Sequence, residues 1–219
     1  VITLSETHLD DNIEDSEISL PDFSLFRKDR NRHGGGVAIY VRSVLNPIEL
    51  SVLNFAGIES VFIKVQTSST WCIFAVFYRP PNQNVRESEI FFENMTRQLE
   101  LIMQPPFINL PLIILGDFND RCTDWFLPHS SSEIKQSLVN LSNDYNLFQL
   151  INSPTRGPNI LDLLFTNNPN LVSHITVEES IDNLDHKIIR ANLSLCSIKS
   201  QKYSRKVYHY NPDNLNNLN

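Results

Sequence analysis

Seven side chains along the sequence have types and surroundings that suit hydrolytic chemistry. Asp117 and Asn119 stand two residues apart, directly after the apolar run Leu112–Leu115 and Gly116. If the chain stays extended there, carboxylate and amide point to the same side. A buried strand presenting such groups at its carboxyl end makes a rigid reactive site. An ordinary Gly-Asp turn with an Asx hydrogen bond uses the same residues. Asp162 interrupts the apolar run Ile160–Thr166, where a charge is costly unless paired or hydrogen-bonded. Asp185-His186 precedes a further apolar strand, Ile188–Leu195. A buried Asp beside a His fixes the imidazole tautomer and raises its basicity; an isolated Asp-His pair is a surface turn. Whether Asp162 meets His186 depends on the fold. Glu6 follows Val1–Leu4, which reads as the end of a buried strand. It suits a hard cation, since Mg2+ takes oxygen donors, and equally an N-cap or a solvated turn. Tyr78 closes the run Trp71–Phe77 and offers its hydroxyl either to a phosphate oxygen or to the edge of the core.

The elements that must position these groups show clear periodicity. Glu59–Gln66 alternates, with Val61, Ile63 and Val65 on one face and Phe62, Lys64 and Gln66 on the other. Trp71–Phe77 is apolar almost throughout and reads as a central strand, stopped by Tyr78-Arg79-Pro80-Pro81. Over Val85–Met103 the spacing predicts a helix. Phe91, Met95, Leu99 and Ile102 form one stripe, Glu87, Glu93, Arg97 and Glu100 lie largely off it, and Pro105-Pro106 ends it. With Leu112–Leu115 this makes strand–helix–strand, and Gly116 is expected to let the chain turn. A second helix fits Glu133–Tyr145, with Ile134, Leu138, Leu141 and Tyr145 as its apolar side. Phe23–Arg30 leads into Gly34-Gly35-Gly36 and the strand Val37–Val41. This glycine triplet reads as a hairpin connection in preference to a phosphate nest, leaving Arg30 and Arg32 to touch a nucleic-acid backbone. Residues 10–22 read as an exposed acidic loop or short helical turn.

Composition bounds these readings. The 219 residues, 41% hydrophobic, suffice for one large domain with a proper core. Residues 1–26 carry seven acids and no Lys or Arg, so the net charge of −7 resides there and the remainder balances at 18 against 18. A basic knot, Arg27, Lys28, Arg30, Arg32 and His33, follows. Such a balance excludes a coat-like nucleic-acid binder and leaves room for an enzyme that meets DNA through a local patch. Cys72, Cys122 and Cys196 are odd in number and far apart, so neither a disulfide framework nor a zinc site is expected, and a reducing compartment is. No apolar run approaches the roughly 20 residues of a membrane helix. No Ser or Cys has the surroundings of a nucleophile. Beyond Cys196, Lys199, Lys202, Arg205 and Lys206 alternate with Tyr203, Tyr208 and Tyr210, and five Asn stand in the last nine residues, which reads as a linker.

Taken in order, S-E-T-H-L (5–9), G-G-G-V-A-I-Y-V (34–41), F-Y-R-P-P (77–81), I-I-L-G-D-F-N (113–119), S-P-T-R (153–156), I-L-D-L-L-F-T-N (160–167) and D-H (185–186) form a series. It resembles the endonuclease/exonuclease/phosphatase superfamily. More narrowly, it is similar to the apurinic-type endonuclease domain of non-LTR (LINE-type, jockey- or CR-like) retrotransposon polyproteins. The resemblance covers residues 1–196, with 197–219 a basic and polar linker toward a reverse transcriptase domain. It implies an α/β fold, a four-layer sandwich of two packed mixed sheets flanked by helices. It implies a Mg2+-dependent phosphodiesterase, with Mn2+ as a substitute, that nicks double-stranded DNA and leaves a 3′ hydroxyl for target-primed reverse transcription. Glu6 matches the metal ligand and Tyr78 the phosphate-contacting tyrosine. Asp117 matches the residue that positions or activates water, with Asn119 orienting the phosphate. Asp162 matches the partner of the catalytic histidine, His186 that histidine, and Asp185 the acid that organises the metal region. Thr155, next to Arg156, matches a position near the DNA.

The resemblance further implies a nuclear, monomeric domain without membrane contact, whose element RNA is engaged only through the reverse transcriptase part. A different phosphodiesterase or phosphatase of the superfamily, and an inactive transposon remnant, are the other readings. The family's first strand, carrying a metal-site Asn, lies upstream of the position matched by Glu6. The chain, opening in mid-strand on V-I-T-L-S-E-T, is therefore expected to lack that strand and the helix after it. Leu184 stands where the family commonly has Ser.

Overall fold

A computed structural model of the chain describes residues 1–68, 70–120, 133–181 and 184–195. Among them the strands are β1 Ile2–Ser5, β2 Phe23–Lys28, β3 Val37–Arg42, β4 Ile48–Glu49, β5 Glu59–Gln66 and β6 Trp71–Tyr78. After helix α1, Val85–Ile102, come β7 Leu112–Asp117, helix α2 Glu133–Asp144, β8 Phe148–Gln149, β9 Asp162–Thr166, β10 Val172–Glu178 and β11 Ile188–Leu193. Cys122, Cys196, residues 197–219 and the Ile134 side chain lie outside what is described.

The fold is mixed α/β around a six-stranded sheet of order β4-β5-β6-β7-β9-β8. β6 and β7 run parallel, joined through α1, and the other neighbours are antiparallel. A crossover helix is what a parallel pair requires. α1 starts at a capping box: Asn84 accepts from the Glu87 N–H at 3.0 Å, and Glu87 Oε2 accepts from the Asn84 N–H at 2.9 Å. Its stripe of Phe91, Met95, Leu99 and Ile102 is fully buried. Gln98 is buried beside them, its Nε2 donating to Leu53 O and to Ser60 Oγ on β5. An aromatic cluster fills the space beneath α1. Phe91 lies 6.4 Å from Phe77 and 6.5 Å from Phe118, and Phe118 lies 5.7 Å from Phe165. Edge-on pairs of this kind add to the burial of the rings.

The other face of the sheet packs against a three-stranded antiparallel sheet of order β1-β3-β2. Val37, Ile39 and Val41 of β3 are fully buried. The hairpin β10–β11 forms a separate ladder, resting Val172, Val177, Ile189 and Leu193 on the core. The second layer is thus divided among the described residues, because β1 pairs with β3 alone and β11 with β10 alone.

Three local expectations differ from the structure. β1 is an edge strand and not a buried one, with Ile2 and Leu4 both more than 40% exposed. Gly116 lies inside β7 and makes no turn. A Cβ there would come within 2.1 Å of Phe77 O, so glycine is required by the closeness of β6. Asp162 does not interrupt a strand but opens one, since Ile160 and Leu161 precede β9. Its carboxylate thereby reaches the sheet's end, where the cost of burying charge is smaller.

Candidate active site

Register alone assembles most of the site. Glu59 pairs with Tyr78, Tyr78 with Asp117 and Asp117 with Asp162, giving one transverse row across β5, β6, β7 and β9. Paired residues share a face, and this row lies at the carboxyl ends of the parallel strands.

Asp117 is 2% exposed and sits at the end of β7. The chain does not stay extended beyond it. Asn119 adopts φ +48, and its N–H donates to Asp117 Oδ1 at 2.9 Å, an Asx turn. The Asn119 amide donates to Asp117 Oδ2 at 3.0 Å and to Arg79 O at 2.9 Å. The bland turn and the reactive arrangement are therefore the same structure. Phe118, fully buried between the two, locks it to the aromatic cluster. Left-handed backbone in a non-glycine residue persists where its surroundings over-determine it.

Asp162 and His186 meet. His186 Nδ1 lies 2.9 Å from Asp162 Oδ2, which sets the Nδ1–H tautomer, and Nε2 lies 3.9 Å from Asp117 Oδ2. That second separation exceeds a hydrogen bond, and the buried Nε2 has no hydrogen-bond partner among the described residues. The hydrogen bond to Asp162 raises the His186 pKa, against burial, which lowers it. Burial, then the charge of Asp162, pushes the Asp117 carboxyl up to about 7. Tyr78, 1% exposed, donates its hydroxyl to Glu6 Oε1. Burial, then that bond, raises its pKa, so the phenol stays a donor. Glu6 itself adopts φ +54, as does His8.

Of the remaining sequence candidates, Thr155 is fully buried. Its hydroxyl oxygen accepts from the Leu161 and Asp162 N–H groups, at 3.0 and 3.1 Å, and its carbonyl accepts from the Lys187 N–H at 2.8 Å. It therefore ties Asp162 to the segment holding His186. Asp185 is bonded to Arg156 and stands outside the Asp117–Asp162–His186 cluster. Arg32 pairs with Asp10 at 2.7 Å, and Arg30 with Glu59 at 2.9 Å. Two residues passed over by the sequence reading complete the surroundings. Arg79, 2% exposed, donates to Ser88 Oγ and holds Asn119 through its carbonyl. Its only signal was a cation between a strand end and two prolines. Glu59 gave only an acid opening an alternating strand.

Asp117 and Asp162 converge with one imidazole, and Glu6 stands outside this cluster, near enough for its charge to act on Asp117. Asp117, Asp162 and His186 bring ligand atoms within 4.8 Å of one another. The charges of Asp162 and Glu6 both oppose ionisation of Asp117. A hard oxygen donor set with excess negative charge fits a divalent cation.

The sequence family described as endonuclease-reverse transcriptase matches residues 72–190, more than half of the chain, a range that includes Tyr78, Asp117, Asn119, Asp162 and His186. Comparison with curated protein sequences yields no match. Among solved structures, the endonuclease domain of TRAS1, a telomere-specific non-LTR retrotransposon, aligns with a TM-score of 0.60 at 18% identity, over 80% of this chain and 82% of that one. The 3′ phosphatase NExo from Neisseria, bound to a product DNA hairpin, aligns with a TM-score of 0.65 at 17% identity, over 88% of each chain. The Xenopus laevis APE2 catalytic domain gives 0.60 at 13% identity, over 90% of this chain and 84% of that one. At these identities the likeness is one of fold.

Proposed function

Because the chain belongs to the endonuclease-reverse transcriptase family, and is a phosphodiesterase domain of the endonuclease/exonuclease/phosphatase superfamily, we propose that it nicks double-stranded DNA in a Mg2+-dependent reaction. The nick leaves a 3′ hydroxyl from which reverse transcription is primed. The observation that carries this reading is the row Tyr78, Asp117 and Asp162 with His186 bonded to Asp162. Support for the priming role comes from the family description, which couples the two activities, and from the fold shared with the TRAS1 domain. Priming on chromosomal DNA would place the protein in the nucleus, with residues 197–219 leading toward the polymerase that engages the RNA.

Glu6, with the Asp117 carboxylate that shares its field, would hold the cation, Mg2+ or Mn2+ in its place. When bound, the ion supplies Lewis-acid stabilisation of the extra negative charge on phosphorus-bound oxygens. The protein's own groups do the rest. Asp117, oriented by both donors of Asn119, takes the proton of the attacking water. His186, whose Nδ1 is held by Asp162, presents Nε2 to a phosphate oxygen, and the Asp162 carboxylate favours the protonated ring that can donate there. Tyr78 remains a neutral donor beside Glu6. Arg156 and Arg32, both more than 40% exposed, exchange weak carboxylate partners for DNA phosphates.

The test is the chemistry of the nick. Supercoiled plasmid treated with the protein and Mg2+ should become open circles that a DNA polymerase extends without prior end treatment. Intact plasmid, or nicks that need a phosphatase before extension, would refute this reading.

A further inference from the structure

We propose that Glu59 and Arg30 are positioning residues that hold Glu6 and Tyr78 in place through the Gly34–Gly36 segment. This rests on the reading of the site given above and adds to it two residues that touch no reacting atom. Glu59 stands in the site row, directly across from Tyr78, yet both its oxygens are engaged on scaffold. Oε2 accepts from the Gly36 N–H at 2.5 Å, and Oε1 accepts from Arg30 NH1 at 2.9 Å. Arg30 also donates from Nε to Gly34 O at 2.8 Å, and its guanidinium lies 5.7 Å from the centre of the Tyr78 ring. The backbone N–H that an anion nest would offer to phosphate is thus taken by a carboxylate of the protein itself.

The glycines explain how closely these parts fit. Gly35 has φ +76, and a Cβ there would lie 2.4 Å from Arg30 Cζ and 2.5 Å from Glu59 Oε2. The ion pair rests directly on its backbone. Gly36 has φ +85, and a Cβ there would lie 2.4 Å from Thr7 Oγ1. The segment is clamped between the ion pair and the Glu6–His8 stretch. Its carbonyls accept the next contacts: Thr7 N–H donates to Gly36 O at 3.3 Å and His8 N–H to Gly35 O at 3.0 Å. These two bonds fix the backbone directly after Glu6, which is in the left-handed conformation and accepts the Tyr78 hydroxyl. The contacts close a ring from Glu59 through Gly36, Thr7, Glu6 and Tyr78 to Arg30 and back.

The experiment uses the full chain as wild type, Glu59→Gln, Glu59→Ala, Glu6→Gln and the double variant Glu6→Gln/Glu59→Gln. Folding is checked by circular dichroism. Backbone amide exchange at Thr7 and His8 reads the clamp without metal or substrate, and electron paramagnetic resonance of free Mn2+ reads metal affinity without turnover. Exchange protection at both amides should fall about tenfold in Glu59→Gln and further in Glu59→Ala. Mn2+ affinity should weaken about threefold in Glu59→Gln and about tenfold in Glu59→Ala. In the Glu6→Gln background Glu59→Gln should change it by less than about 1.5-fold, since its effect passes through Glu6. Unchanged amide protection in a folded Glu59→Gln protein overturns the proposal whatever the metal does. So does a loss of Mn2+ affinity as large in the Glu6→Gln background as in wild type. Should Glu59→Ala fail to fold, Glu59→Gln, which keeps an oxygen for the Gly36 N–H, decides. Wild-type protein that neither binds Mn2+ nor nicks DNA sinks the reading of the site, while amide exchange still tests the clamp.

Discussion

Replacing Asp117 by Asn should stabilise the metal-free protein at pH 8, give no stabilisation at pH 5, and abolish phosphodiester cleavage at both. Burial and the Asp162 charge raise the Asp117 carboxyl from 3.8 to about 7 in the folded protein. Between these values the folded chain holds a proton that the unfolded chain has released. Its stability contribution is therefore complete below about pH 4 and is lost as pH rises through about 7. His186 acts in the same direction, since its raised pKa gives stability below 6.5 that is lost as pH rises. At about 1.36 kcal/mol per pH unit, the Asp117 rise sets a ceiling of roughly 4 kcal/mol of accumulated strain at pH 8.

An amide at 117 carries no charge and escapes that cost. Its NH2 would oppose the Asn119 amide, which now donates to Asp117 Oδ2 at 3.0 Å, losing about 1 kcal/mol. It would also forgo the attraction to protonated His186. The net expectation is a gain of about 1–2 kcal/mol at pH 8, equivalent to a melting temperature higher by roughly 2–8 °C. At pH 5, where wild-type Asp117 is already protonated, the variant should melt at or below wild type. Thermal unfolding in EDTA at both pH values measures this, and added Mg2+ should stabilise wild type more than the variant. A variant destabilised equally at both pH values would refute the burial argument.

Thr155→Val leaves the buried Leu161 N–H and the part-buried Asp162 N–H without their acceptor. It should cost about 2–4 kcal/mol and lower cleavage, and Thr155→Ser should restore most of both, as read by unfolding and nicking side by side. Gly116→Ala drives a Cβ to within 2.1 Å of Phe77 O. A loss of about 4 kcal/mol or more should appear as insoluble or poorly folded protein. Arg156→Ala, at an exposed pair with Asp185, should leave the melting temperature nearly unchanged. DNA affinity should fall, and the slope of log K against log salt should shrink by about 1.

Elements with strong periodicity were legible. β5 spans Glu59–Gln66 as the alternation predicts, and α1 differs from its expected range by one residue. β10 was not, because Val172–Glu178 mixes polar and apolar residues on a half-exposed hairpin. The site's residue types were readable from chemistry and resemblance, but their partners depend on register, which a single sequence does not encode locally. Asp162 illustrates this: read as a charge inside a strand, it becomes a strand's first residue, two strands from Tyr78 and directly across from Asp117. Thr155 is expected near DNA, and what register adds is that its hydroxyl oxygen accepts from two backbone N–H groups. Glu59 and Arg79 gave only slight local signals, because their roles consist of contacts to distant backbone.

The central claim is that Glu6, Asp117, Asp162 and His186 act together as one metal-dependent phosphodiesterase site. Nicking of supercoiled plasmid over a Mg2+ titration tests it most directly, with wild type compared with Glu6→Gln, Asp162→Asn and His186→Ala. Wild type should produce open circles in Mg2+ and none in EDTA, with each variant slower by about 10²-fold or more. Equal nicking in EDTA, or a His186→Ala protein as fast as wild type, would contradict the account.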